Sequence, residues 1–122
     1  MGRAKGIAQK RVSEKLYLSI ASLINNGMND RRLQLVTVTH VTVDKELEHA
    51  NVWVCAPSLG EDRSEEVLGV LDKASGFIRH ELASRLKIRR IPQLHFVWDF
   101  TPDRAAQVEQ LIDDVISSNE HR

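Results

Sequence analysis

Seven of the nine charged side chains in residues 1–32 are basic, and so are five of the six in residues 77–90. Lys10, Arg11 and Lys15 in the first stretch, with Arg79, Arg85, Lys87, Arg89 and Arg90 in the second, are the side chains best suited to chemistry. That chemistry is the neutralisation of phosphate, which positions a partner without reading its bases. Acidic residues gather elsewhere: residues 41–66 hold two basic and seven acidic side chains, and residues 91–122 hold two and six. The four segments carry +5, +4, −5 and −4, residues 67–76 are neutral, and the formal net charge of zero conceals an uneven distribution. Glu46, Glu48, Glu61, Asp62, Glu65 and Glu66 read as an acidic patch that repels a polyanion, so only part of the surface can face one. Without further information, a basic stripe on a helix reads as an ordinary solvated face.

Other chemistries find little support. His40, His49, His80, His95 and His121 show no close His-x-x-x-His or His/Cys pairing, so no metal site is expected. Cys55, the one cysteine, falls in a strand pattern with nothing nearby to lower its pKa. Asp99 and Asp103 are explained by a strand end and a helix N-terminus rather than by acid–base work. No catalytic residue and no cofactor is expected.

The 122 residues suit one domain, 1–122, with an ordered core over about 7–116. No apolar run approaches the roughly 18 to 20 residues that span a bilayer, and the N-terminus lacks the apolar core of a signal peptide. A single cysteine fits a reducing compartment. A cytoplasmic protein without membrane contact is the expectation.

The elements that position the cations follow from periodicity. Ala8, Val12, Leu16, Ile20, Leu23 and Ile24 form a helical stripe that Asn25-Asn26-Gly27 stops. Residues 35–43 and 49–55 read as an antiparallel hairpin, with a bulge near His40 where the alternation slips. Ala50, Val52 and Val54 make the core face of the second strand, opposite Asn51, Trp53 and Cys55. For Trp53, stacking on a base and packing under a helix both stay open. Ser64 reads as an N-cap ahead of Glu65 and Glu66. Leu71, Ala74, Ile78, Leu82 and Leu86 then recur at helical spacing across Gly76, which predicts a bend between two helices at Ala74-Ser75-Gly76. Alanine at Gly76 is expected to strain that pair. Wheel arithmetic sets Arg79, His80, Ala83 and Lys87 in one stripe beside the apolar one. Leu94, Phe96 and Trp98 alternate as a third strand, and Thr101 as N-cap with Pro102 in the first turn enters a final helix packed through Val108, Leu111, Ile112, Val115 and Ile116, with residues 117–122 fraying. The result is an α+β domain, a small three-stranded sheet covered on one face by helices.

Three ordered blocks carry a family resemblance: the hairpin Val38-Thr39-His40-Val41-Thr42-Val43 through Val54, the segment Ala74-Ser75-Gly76-Phe77-Ile78-Arg79, and the strand from Arg89-Arg90-Ile91-Pro92 to Asp99. Together with the N-terminal helix they resemble the ribosome-binding factor A family over roughly residues 5–116. The resemblance implies a type II KH-like fold in which the break at Ala74-Ser75-Gly76 stands in place of the Gly-x-x-Gly clamp of RNA-binding KH domains. It implies a non-enzymatic maturation factor that binds free or immature 30S ribosomal subunits through 16S rRNA, assists late rRNA processing and meets other assembly factors, acting as a monomer. A protein-interaction or dimerisation module with incidental RNA affinity is the alternative.

Overall fold

The computed structural model describes residues 2–120, and the side chains of residues 6–102, 104, 105, 108–112 and 115. The described residues form four α-helices, α1 (Gly2–Asn26), α2 (Arg31–Gln34), α3 (Ser64–Leu86) and α4 (Thr101–Glu120), and three strands, β1 (Thr37–Val43), β2 (His49–Cys55) and β3 (Gln93–Trp98), in the order α1-α2-β1-β2-α3-β3-α4. The strands lie in the order β1-β2-β3, with β1 antiparallel to β2 and β3 parallel to it. Leu16, Ile20, Leu23 and Ile24 of α1 and Val67, Leu71, Ile78 and Leu82 of α3 are buried with Ala50, Val52 and Val54 of β2 and Leu94, Phe96 and Trp98 of β3. α1 lies chiefly on β1 and α3 on β3, so both cover one face of the sheet. The opposite face carries His40, Asn51, Trp53, His95 and Val97.

Local chemistry accounts for the joints. The register of β1 on β2 shifts between Val38 and His40, the bulge that the broken alternation requires. Gly27 ends α1, its N–H donating to the Leu23 carbonyl at 2.8 Å. The free edge of β1 is partly satisfied by side chains of α1: Gln9 Nε2 donates to the Val43 carbonyl at 3.1 Å and Asn25 Nδ2 to the Val36 carbonyl at 2.8 Å. At the far end of the sheet Asp99 accepts from Thr39 Oγ1 at 2.6 Å and from the Thr101 N–H at 2.9 Å. The Thr39 hydroxyl, followed by the Thr101 donors, holds the Asp99 carboxyl below its ordinary range.

Five sequence expectations need correction. Ser64 is the first residue of α3 rather than its N-cap, because a 3₁₀ turn over Glu61–Arg63 already winds the chain into the helix. Thr101 likewise lies inside α4, and the capping oxygen comes from Asp99. Residues 64–86 form one helix with no break at Gly76. Burying Val67, Leu71, Ile78 and Leu82 on one stripe, at roughly 1.5–3 kcal/mol each, outweighs the cost of one glycine, about 1 kcal/mol. The Ser75 hydroxyl is absorbed locally, donating to the Asp72 carbonyl at 2.8 Å. Finally, the apolar stripe of α4 does not pack: Val108, Leu111, Ile112 and Val115 are 55%, 63%, 53% and 60% exposed. α4 is helical to Glu120, so residues 117–120 belong to the helix; His121, Arg122 and the side chains of Asp103 and Ile116 lie outside the described residues.

Two of these joints can be tested by substitution. A Cβ at Gly76 meets no atom within 4 Å and the backbone there is helical, so Gly76→Ala stabilises the fold by about 0.5–1 kcal/mol, read as a higher urea midpoint at unchanged m. Asp99→Ala costs about 1 kcal/mol at neutral pH, as loss of a cap does. Because the folded carboxyl titrates below its ordinary value of 3.8, its contribution is whole above that pH and fades as pH falls through the folded value. The stability gap between parent and Asp99→Ala therefore closes in strong acid, which urea melts across a pH series measure.

Candidate nucleic-acid interface

The two basic stretches meet at one end of the sheet. The Gln9–Val43 bond places the N-terminal half of α1 against the end of β1, where the chain turns into β2. α3 comes back to the same end, since the Gln93 N–H that opens β3 donates to the Glu48 carbonyl in that turn at 2.8 Å. Lys10 and Arg11, with Lys15 one turn further along, therefore flank the β1–β2 turn on one side, and Arg85, Lys87, Arg89 and Arg90 flank it on the other. All seven are exposed. The three ion pairs among the described residues are Arg32–Asp30, Arg32–Glu66 and Arg63–Glu66, and none uses these seven cations.

The acidic residues, by contrast, are not one patch. Glu46 and Glu48 sit in the turn between the two basic flanks, whereas Glu61, Asp62, Glu65 and Glu66 sit at the N-terminus of α3, the opposite end of the sheet. There Glu66 accepts from Arg32 at 2.9 Å and from Arg63 at 3.0 Å, and these guanidinium bonds lower its pKa. Asp30 is lowered by the same Arg32, whose own pKa is raised by Asp30 first and Glu66 second. Asp44, in the turn, is turned inward: partial burial raises its pKa, but the N–H groups of Glu48 and His49 donating to Oδ1 at 2.8 and 3.2 Å leave it net lowered.

Arg79 does not belong with the free cations. Its Nη2 donates to the Ile91 carbonyl at 3.1 Å, and its Nε is buried without a partner. It ties α3 to the loop entering β3, so the stripe drawn from Arg79 through Ala83 to Lys87 is interrupted at its first member. Lys87 caps α3 in the left-handed region, with φ 52°. Ala74, Ser75 and Gly76 lie within the unbroken α3. Among the described residues no three His, Cys, Asp or Glu side chains gather as metal ligands, and Cys55 is buried. Sequence reasoning left aside the ring pairs of the open sheet face. His40 and Trp53 have centroids 5.3 Å apart, and His49 and His95 have centroids 5.2 Å apart. Alternation put Trp53 opposite the core face, but the pairing of His40 with Trp53 depends on strand register that alternation does not supply.

Helices on one face of a three-stranded sheet, in the order α-β-β-α-β and with the free cations at the turn end, define a type II KH-like domain with a basic pole. The sequence profile of the family described as ribosome-binding factor A matches residues 8–112. The chain is 37% identical over 110 residues to ribosome-binding factor A of Alkalilimnicola ehrlichii, covering 90% of this chain and 85% of the relative. It is 40% identical over 104 residues to that of Alcanivorax borkumensis, covering 85% and 76%. The crystal structure of ribosome-binding factor A from Thermus thermophilus superposes with a TM-score of 0.66 at 30% identity, covering 74% of this chain and 93% of that one. A Thermus thermophilus ribosome-binding factor A fitted into the cryo-EM map of its 30S complex gives 0.61 at 29% identity, covering 73% and 92%. The chain belongs to the ribosome-binding factor A family.

The site geometry separates structural from free cations. Arg79→Glu leaves the buried Ile91 carbonyl without its donor and lowers stability by about 2–3 kcal/mol, while Arg79→Met, which also removes the orphaned Nε, costs less. Lys87→Gly relieves a left-handed side-chain-bearing residue and raises stability by about 1 kcal/mol. Urea denaturation of the three variants checks the order.

Proposed function

We propose that this protein is a non-enzymatic maturation factor of the small ribosomal subunit that binds free or immature 30S subunits through 16S rRNA and assists late rRNA processing in the cytoplasm. The observation that carries the reading is the convergence of two basic stretches, far apart in sequence, at one end of a domain whose family includes a member fitted into a 30S complex. Lys10, Arg11, Lys15, Arg85, Lys87, Arg89 and Arg90 neutralise phosphates of folded rRNA. Arg79 positions the loop that carries Arg89 and Arg90. Phosphate contacts fix register and orientation, and the acidic end of α3 faces away from the rRNA. The chain has no Gly-x-x-Gly loop, so a backbone clamp of the KH kind has no part in this mechanism.

Sedimentation with purified 30S subunits at low salt tests the reading. The protein is expected in the 30S fraction, and affinity should fall steeply with salt, log K against log salt having a slope of about −0.7 to −0.9 per phosphate neutralised. Lys15→Glu with Arg89→Glu, both exposed, should reduce binding strongly and flatten that slope while stability stays within about 0.5 kcal/mol. A parent protein absent from the 30S fraction overturns the proposal; unaltered binding by the double variant removes the basic pole from the site.

A further inference from the structure

We infer that the open face of the sheet is a further RNA site, adjoining the basic pole and sharing Lys10 and Arg90 with it, that stacks unpaired bases on Trp53 and His40. This inference rests on the proposed function for its partner but not for its geometry. Because α1 and α3 both cover one face, the other is bare, and cross-strand register sets His40 opposite Trp53 and Trp53 opposite Val97 in one row. The neighbouring row is Thr42, Asn51 and His95. The His40 and Trp53 rings are tilted by 42° at 5.3 Å, and His49 and His95 stack at 28° and 5.2 Å. Four of the chain's rings thus stand on a face that solvent reaches.

Its polar character suits nucleotides. Asp44 and Asp99, just past the strand ends at opposite ends of the sheet, are each occupied by hydrogen bonds from their own neighbourhoods. Cations stand at both edges of the turn end, each with a carboxylate in the same groove: Lys10 and Glu14 line one shallow groove with His40, at the junction of α1 and β1, and Arg90 and Glu48 line another with His49. A π-face flanked by cations is how sequence-tolerant sites hold single strands, the rings taking bases and the cations tracking phosphates. Asn51 adds donor and acceptor groups between the ring pairs. Rows about 7 Å apart along the strands give successive extended nucleotides separate seats. Duplex RNA has no such use for the face, because its bases are stacked on one another and paired.

The test is a fluorescence titration of the full chain with an oligouridine of about ten nucleotides, within the usual span of such sites. Trp98 is buried, so Trp53 is the reporting tryptophan. Saturable quenching is expected with the single strand and none with the same strand annealed to oligoadenylate. Trp53→Ala, followed by anisotropy of a labelled oligouridine, should weaken binding by about 10-fold or more, the usual worth of one stacked base. Trp53→Phe should stay within a few-fold of the parent, and His40→Ala, at an exposed position, supplies the same readout should Trp53→Ala unfold. Equal quenching by single strand and duplex, absence of quenching, or unchanged affinity in folded Trp53→Ala or His40→Ala overturns the inference. A parent that sediments with 30S subunits yet ignores oligouridine overturns this site alone; one that binds oligouridine and not 30S subunits keeps the site and overturns the proposed function.

Discussion

β3 lies parallel to β2, so the chain that finishes β2 has to travel the full length of the sheet before β3 can begin. α3 is that return journey, and its direction decides where every charge on it ends up. Its first turn carries Glu65 and Glu66 and its last turn Arg85, an arrangement that suits the positive and negative ends of the helix dipole. The same polarity keeps Glu61, Asp62, Glu65 and Glu66 at one end of the sheet and delivers the basic loop, residues 87–90, to the other. α1 runs antiparallel to β1 and brings its basic N-terminal half to that second end. The basic pole is therefore a consequence of one parallel pairing, and no side-chain contact between the two stretches is needed to build it.

A second consequence is one-sidedness. With three strands and two long helices, a single covered face is enough to bury Ala50, Val52 and Val54 completely, and the hydrophobic core closes without the other face. That face is free to carry histidines and a tryptophan at positions where a two-sided sheet requires apolar residues. The division is visible in the alternation of β2 and β3, whose inward positions are aliphatic or aromatic and whose outward ones include Asn51, His95 and Val97.

Much of this was legible in the sequence, for identifiable reasons. β3 alternates cleanly and β2 does so as far as Val54, because each has one wet face; Cys55, set on the outer face by alternation, is buried where the strand ends, and the slip in β1 marked a bulge that the register places between Val38 and His40. The misreadings share a cause, the absence of tertiary context. Glycine's helix penalty is a local quantity, and at Gly76 it is overridden by apolar burial on the far side of α3. Arg79 falls at the margin of that buried stripe, where an arginine can lay its stem on the core and reach a backbone carbonyl; a wheel records its angle but not the Ile91 carbonyl waiting there. The stripe on α4 has the periodicity of a packed helix, yet periodicity names no partner, and Val108, Leu111, Ile112 and Val115 stay exposed. The acidic residues were grouped by sequence proximity, whereas the crossover places them at opposite ends.

A formal charge of zero is an odd endowment for a domain with a basic pole, and the separation of poles explains how the two coexist. α3 has 23 residues, about 34 Å of helix, whereas charges in about 0.1 M salt are screened over about 10 Å. The two ends of the molecule are thus electrostatically independent: a phosphate at the basic pole would experience seven exposed cations, offset by Glu46 and Glu48 in the turn between them, and little of the acidic end. Far from the surface the opposite charges cancel, which removes the long-range, sequence-blind attraction that a uniformly basic domain has for every RNA in the cell. Attraction is confined to one orientation at short range.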